Sequence, residues 1–557
     1  MFLGFGHPGL RRGGRLFLGG SLAAMLTKIV VLTVYFLVVL ILGFMAKSRL
    51  RDGPSDYFLA GRGLGPFVLV GTMAATNFSA FTVFGASGAG YREGLSFFPI
   101  MAFGTGFMAL TFWLVGRKVW EWGRTHELVT PAELVEQVYA SRPLAGLFAL
   151  VMVVFTVPYL ALQPLAGAKV LGQLFGLPAW AGASLVTVII LAYTLRGGLK
   201  AVAWTDVFQG IFMLVLMAGA LGLVVSHYGG WGRAFDQVRQ AEPALFSRPG
   251  PHGVYSPAVW FSFMALWFFC DPMFPQLFQR FYSARSQGSL GRTMALYPLI
   301  CTVVFALPVA LGVLGHLAFP NLAGRESDAI VPLLMTHLAG DLMGTLVLAA
   351  GLAALMSTMD SQLLTLSSIF SRDLFPYLRG RKAQSGLVGR VFVVILALAG
   401  LAVALLSNTT ILQLGLTAFT GLAALFPTVF LGLYLRKPRA NAAIVSILAG
   451  EVLVLAYHFK LLPTGGFLPA VPVMAVSCAA YLAVQLLSGG LSLPRFSKRG
   501  WLALLLFGGI FLAAQDYWAW GRVGGTLAGW PLWAWYFVGL SLLQTCFSAW
   551  WLRTSKK

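Results

Sequence analysis

Apolar runs of about 20 residues, the length an α-helix needs to cross the hydrocarbon of a bilayer, recur along this chain from residue 28 to residue 552. They lie near 28–46, 67–90, 96–116, 144–168, 177–195, 202–225, 257–279, 294–318, 343–369, 389–407, 410–435, 440–458, 468–488, 500–517 and 529–552, roughly fifteen in all. A backbone in lipid finds no water to bond, so each run must satisfy its own N–H and C=O groups, which a helix does. The expectation is an all-α polytopic membrane protein. Composition agrees, since 58% of the 557 residues are hydrophobic, 10% are charged and the mean hydropathy is +0.81, outside the range of soluble domains. The longest polar connection, about Ser226 to Ser256, is too short for a soluble domain. A single membrane domain is expected over 25–557, with 1–24 as an N-terminal extension.

A formal charge of +21 suggests nucleic acid, but the Lys and Arg sit in short clusters between apolar runs and form no single soluble face. The expected partner is the lipid bilayer, not nucleic acid. The clusters are Lys47-Arg49-Arg51, Arg117-Lys118-Arg124, Arg196-Lys200, Arg280-Arg285-Arg292, Arg372-Arg379-Arg381-Lys382, Arg436-Lys437-Arg439, Arg495-Lys498-Arg499 and Arg553-Lys556-Lys557. They occupy alternate connections, as retention of Lys and Arg in the cytoplasm requires. This predicts a multi-pass protein of the plasma (inner) membrane with a cytoplasmic C-terminus. Arg11, Arg12 and Arg15 break the pattern. Either 1–24 is a signal-like segment with the apolar run Leu16 to Ala24, or the chain starts at Met25, which is preferred because it removes these arginines. Cys270, Cys301, Cys478 and Cys546 lie in apolar runs without metal-type spacing, so buried free thiols are expected.

Polar residues at membrane depth are costly and therefore informative. The run from Phe67 carries Ala74-Ala75-Thr76-Asn77-Phe78-Ser79-Ala80 and then Gly85, Gly88 and Gly90, a small and polar interruption. Such a stretch can unwind and free carbonyls for a cation. Close packing through small residues explains the glycines equally well but not Asn77. In 343–369, Ala354, Ser357 and Thr358 stand at i, i+3 and i+4, and Ser361, Thr365 and Ser368 extend that face, with Asp360 beside it. Adjacent hydroxyls suit sodium, a hard cation; the alternative is that they bond back to the preceding turn. Asp206, in Trp204-Thr205-Asp206, is either a solvated interfacial acid or a site residue. The run 257–279 contains Trp267-Phe268-Phe269-Cys270-Asp271-Pro272-Met273-Phe274-Pro275, where two prolines break the helix beside an acid. The two interrupted runs open successive groups of five, so the groups are inverted relative to each other, a recurring transporter plan.

Three blocks carry a resemblance to a known family: Asp56-Tyr57-Phe58-Leu59-Ala60-Gly61-Arg62; Arg196-Gly197-Gly198-Leu199-Lys200-Ala201-Val202 running into Trp204-Thr205-Asp206; and Met356-Ser357-Thr358-Met359-Asp360-Ser361-Gln362-Leu363-Leu364. Over about residues 28 to 440 the chain resembles the sodium:solute symporters, which include bacterial proline, pantothenate and sugar symporters. The resemblance implies an inverted-repeat (5+5 helix) core of the leucine-transporter type, about 67–435, with about five extra transmembrane helices. It implies a sodium site of Ala75, Phe78 and Ala354 carbonyls with Ser357 and Thr358 hydroxyls, and an ion-coupling role for Asp206. Trp267 resembles a substrate-site aromatic, Asp271 stands where the proline symporters carry tyrosine, and Asn77 where they carry an acid. Asn77, Tyr159, Gln163, Trp267, Asp271 and Thr420 are the candidate solute residues.

The expected function is sodium-coupled import of a small organic solute (amino acid, monocarboxylate, pantothenate-like compound or sugar) by alternating access. Na+ is the coupling ion, no organic cofactor is expected, and the protein is a monomer or weak oligomer. Proton coupling through Asp206, Asp271 or Asp360 is the alternative within transport. A transporter-like sensor would be expected to carry a signalling domain after the last run near Trp551, and an enzyme would need paired acids, a nucleophile triad or metal ligands. None of these is present in the sequence pattern.

Overall fold

The computed structural model describes residues 22–45, 54–194, 198–379, 387–492, 498–521 and 524–554. Residues 1–21 of the expected extension 1–24, the cluster Lys47-Arg49-Arg51, Arg196-Gly197 of the second motif, Arg381-Lys382, Arg495 and Lys556-Lys557 lie outside the described residues. What is described is almost wholly helical, with one small two-stranded ribbon pairing Thr526–Leu527 with Trp530–Pro531. Among the described residues, 12 helical stretches are long and apolar enough to span a membrane, and a bent pair makes up to 13. One of these, Phe81–Thr125, is 45 residues long and turns at Gly94, whose φ of 72° is open to glycine, so it contributes to two passes. Ala179–Thr194 is a shorter apolar helix.

The helices fall into two groups of five. The first comprises the broken helix Pro66–Asn77 and Ala86–Glu93, the pass containing Phe97–Met108, then Arg142–Phe175, Ala179–Thr194 and Leu199–His227. The second comprises the broken helix Pro257–Cys270 and Pro275–Ser283, then Gln287–Leu314, Asp341–Ile369, Leu387–Leu406 and the pass Ile411–Ala423 with Phe426–Tyr434. Leu22–Met45 precedes them, and Ala440–His458, Ala470–Gly489, Lys498–Ala513 and Leu532–Thr554 follow. The perimeter is apolar, with Val188, Val215, Leu398, Leu487 and Leu505 exposed, as lipid contact requires. Of the cysteines, Cys270 and Cys301 are buried, whereas Cys478 is half-buried and Cys546 exposed. Cys546 thus departs from expectation, because an apolar run in a membrane protein buries only one of its faces.

Described members of several basic clusters lie close to one another. Arg124 donates to the carbonyls of Arg62, Ala284 and Arg285, Arg499 to that of Thr554, and Arg117, Arg292 and Arg553 line one cavity. Arg280 is the exception: it is wholly buried and serves no topological purpose at the surface.

The glycines of the first broken helix serve close packing. A Cβ on Gly90 would lie 2.8 Å from the Val309 carbonyl oxygen, and one on Gly312 would clash with the Ser87 carbonyl oxygen. Ala86–Glu93 and Gln287–Leu314 therefore approach at backbone distance.

The connection after Leu199–His227 is more ordered than a polar loop, holding the helix Trp231–Ala241 and a 3-10 turn, Pro243–Phe246. Its end is pinned to the C-terminal helices. The buried Arg248 guanidinium bonds both carboxylate oxygens of Asp516 and lies over the Trp533 ring, 4.8 Å from its centre. Trp533 donates to the Phe246 carbonyl, and Trp260, at the start of the second broken helix, donates to the Ala514 carbonyl. Removing one member of a buried pair strands the other charge, at about 3–5 kcal/mol. Asp516→Ala is expected to lower the melting temperature of the purified protein markedly, and Asp516→Leu combined with Arg248→Met to recover part of the loss. A single variant that melts with wild type would show that the pair does not form.

Candidate functional site

The first broken helix ends where the Phe78 N–H makes its last helical bond, to the Ala74 carbonyl, and Phe78 leaves the helix with φ −87° and ψ 85°. The chain restarts by local capping. The Ser79 hydroxyl accepts from the Phe81 N–H, and the Ser79 carbonyl from the Thr82 N–H. The Ala80 N–H donates to Gln163 Oε1 across from Arg142–Phe175, at 3.2 Å. In the second broken helix Pro272 and Pro275 supply no N–H, Phe274 is extended, and the two parts meet at 56°.

The first break and the second half of the second broken helix pack on Asp341–Ile369, a continuous helix buried without interruption from Val347 to Ile369. Ser357 Oγ lies 3.0 Å from the Ala75 carbonyl oxygen and 3.1 Å from that of Ala354. Thr358 Oγ1 lies 3.1 Å from the Thr76 carbonyl oxygen and 3.3 Å from that of Ala354. Two hydroxyls and the carbonyls of Ala75, Thr76 and Ala354 thus converge, all buried, where the first helix unwinds. Thr76 contributes an oxygen that the sequence did not single out. Phe78 is at the break, but no described bond brings its carbonyl to this cluster. The expected back-bonding and the cross-helix contact coexist, since each hydroxyl has both acceptors in reach.

Further along the same face, the helix meets the second broken helix. Ser361 Oγ accepts from Arg280 Nη2 at 2.8 Å, Thr365 Oγ1 donates to Gln279 Oε1, and Gln279 Nε2 donates to Ser368 Oγ. Arg280 Nη2 also reaches Asp206 Oδ2 at 2.7 Å, and Thr72 Oγ1 donates to the same oxygen at 2.6 Å. Arg280 Nε in turn donates to Thr72 Oγ1, and Nη1 to the Gln276 carbonyl. Asp206 is therefore no solvated interfacial acid: it and Arg280 are fully buried, and the pair ties both broken helices to Leu199–His227.

Asp271 sits in the second break. Asn77 Nδ2, in the first break, donates to Asp271 Oδ2 at 3.2 Å and lies 2.8 Å from the Tyr297 hydroxyl. Cys270 Sγ is 3.2 Å from Asp271 Oδ1. None of the ion pairs among the described residues includes Asp271. The same breaks carry aromatic rings that close on Phe419. Its ring centre lies 5.8 Å from Phe81, 5.6 Å from Trp267, 5.0 Å from Tyr159 and 5.2 Å from Phe274. Trp267 Nε1 is buried without a hydrogen-bond partner. Gln163 and Tyr159 lie beside the breaks. The Thr420 hydroxyl donates to the Leu416 carbonyl of its own helix, beside Phe419. Phe81, Phe274, Phe419 and Tyr297 escaped the sequence reading, since aromatics within apolar runs ordinarily belong to the packed interior.

Comparison with known proteins agrees with this architecture. The chain matches the sodium:solute symporter family over residues 57–450. It is 29% identical over 447 residues to the sodium/proline symporter of Staphylococcus aureus strain JH9, covering 77% of this chain and 85% of the relative, and matches that of strain Mu3 equally. Among solved structures, a Na+-coupled sialic acid symporter in a substrate-bound outward-open state superposes with a TM-score of 0.69 at 20% identity, covering 84% of this chain and 99% of that one. A nucleobase-cation-symport-1 family transporter in a closed conformation gives a TM-score of 0.54 at 13% identity, over 80% of this chain and 98% of that one. These likenesses establish the leucine-transporter-type fold with its inverted repeat. With more than half its length matched, two helices broken at facing positions and a hydroxyl-bearing helix across from them, the chain belongs to the sodium:solute symporter family.

Proposed function

We propose that the protein is a sodium-coupled symporter that imports a small organic solute by alternating access, with its basic end in the cytoplasm. The observation that carries this reading is the convergence of the Ser357 and Thr358 hydroxyls on carbonyls freed by the break after Asn77. Hard, uncharged oxygens in that number suit sodium. A bound ion draws the first broken helix to Asp341–Ile369, favours the outward-open state and leaves after the outer side closes, each ligand shifting the populations by its differential affinity. Ser357→Ala with Thr358→Ala is expected to raise the sodium concentration for half-maximal uptake in proteoliposomes by at least tenfold. Unchanged sodium dependence in a well-folded double variant would refute the assignment.

The Asp206–Arg280 pair lies between this cluster and the basic end, and in this reading it closes the inner half of the path. Asp206→Asn leaves Arg280 buried without its counter-ion, a loss of about 3–5 kcal/mol. The variant is expected to melt lower and transport poorly, and adding Arg280→Gln to restore stability but not transport. Equal melting of Asp206→Asn and wild type would show that the pair carries no weight.

For the solute, a carboxylate without a cationic partner beside a cluster of five aromatic rings favours a molecule carrying an ammonium group, through ion pairing and cation–π attraction. Asp271→Asn is then expected to weaken solute binding at least tenfold at every pH while sodium still binds. Uptake that persists in the variant with a flattened pH dependence would instead mark Asp271 as a proton carrier for an anionic solute.

A further inference from the structure

Three arginines from three different passes converge on a cavity of about 650 Å³ at the basic end of the molecule. Arg117 follows the second pass, Arg292 lies in the first turns of Gln287–Leu314, and Arg553 in the last turn of Leu532–Thr554. Trp113, Trp551, Ala295, Leu296, Ala549 and Leu552 supply the apolar part of the wall. The cavity therefore sits where three membrane helices end, cationic toward the water and apolar toward the hydrocarbon.

The local charge is poorly compensated. The nearest acid is Glu121, which lies 3.9 Å from Arg117 Nη1 and accepts from Gln287 Nε2 at 3.0 Å. Arg117 Nε is buried without a hydrogen-bond partner, and its guanidinium rests over the Trp113 ring at 5.2 Å. Arg292 and Arg553 are exposed and enter none of the ion pairs among the described residues. Gln287 and Gly288 also line the cavity, and the free N–H groups of a helix's first turn favour an anion.

We infer that this cavity is a binding site for the phosphate headgroup of an anionic phospholipid, whose acyl chains leave along Leu296 and Leu552. Three guanidinium groups match a phosphodiester, which arginine binds through paired N–H donors. Basic pockets between membrane helices are where such headgroups are held, and tryptophans at the same depth suit the interface. A soluble anion would need no apolar wall. The inference does not depend on which ion or solute is carried.

The test uses the full chain purified in detergent, with bound lipid counted by native mass spectrometry and melting followed in parallel. The probes are phosphatidylglycerol, phosphatidylcholine with the same acyl chains, and inorganic phosphate. Phosphatidylglycerol is expected to bind and raise the melting temperature, phosphatidylcholine to bind at least tenfold more weakly, and millimolar phosphate to give no shift. Arg292→Gln with Arg553→Gln, both at exposed positions, is expected to reduce phosphatidylglycerol binding at least tenfold. Arg379→Gln with Arg439→Gln, which removes the same charge elsewhere on that end, is expected to leave binding unchanged. Equal binding of the two lipids, undiminished binding by the first double variant, or equal loss in the second would each overturn the site. A stabilising shift with phosphate alone would overturn the lipid in favour of a free anion.

Discussion

Two helices are interrupted inside a membrane, and the rest of the molecule is arranged so that the backbone groups released there find partners. In hydrocarbon each unpaired N–H or C=O would cost several kcal/mol, so a break survives only where protein surrounds it. After Asn77 the duty is shared. Ser79 caps the new segment locally, Gln163 reaches over to the Ala80 N–H, and Ser357 and Thr358 approach the carbonyls of Ala75 and Thr76. This explains the character of Asp341–Ile369, which is buried throughout its inner length yet rich in hydroxyls. It serves one break with its first hydroxyl pair and the second broken helix with Ser361, Thr365 and Ser368.

The two acids near the breaks are treated differently. Asp206 is matched by a guanidinium and a hydroxyl, all three buried, so its charge is balanced before any ligand arrives. Asp271 receives only an amide N–H and a weak thiol donor, both at 3.2 Å, and it sits in the turn between Trp267 and Phe274. A buried charge so weakly partnered is costly, so this acid must either hold a proton or meet a cation. The balanced acid thus joins three helices, while the unbalanced one sits between the breaks.

Much of this was legible in the chain. Pro272 and Pro275 announce a broken helix because neither can donate within it, and the spacing of Ala354, Ser357 and Thr358 places them on one face by helical geometry alone. What escaped depends on contacts between residues far apart. Arg280 looks like any basic residue at the end of an apolar run, and only the fold shows that it turns inward to Asp206, 74 positions away. Phe81, Phe274 and Phe419 carry no signal that distinguishes a ring lining a site from one packed in the interior. Cys546 errs in the other direction, since a run of apolar residues does not tell which side of the helix meets lipid.

The magnitude of the contact between the first broken helix and its hydroxyl-bearing partner bears on how an ion could govern it. Each hydroxyl has one proton to donate, so the distances of 3.0 to 3.3 Å around Ser357 and Thr358 represent at most two donated bonds at a time, each with a second acceptor in its own helix. A bond of this kind contributes about 0.5–1.5 kcal/mol net, so the pair holds the interface by about 1–3 kcal/mol. That is the size of a typical coupling free energy between two sites. A much stronger apposition would leave the helix fixed whether or not an ion were bound, and a much weaker one would keep the oxygens from being assembled. At the proposed sodium site, hydroxyls that choose between the neighbouring helix and their own turn meet both requirements, which is a physical reason to find serine and threonine at this contact in place of charged groups.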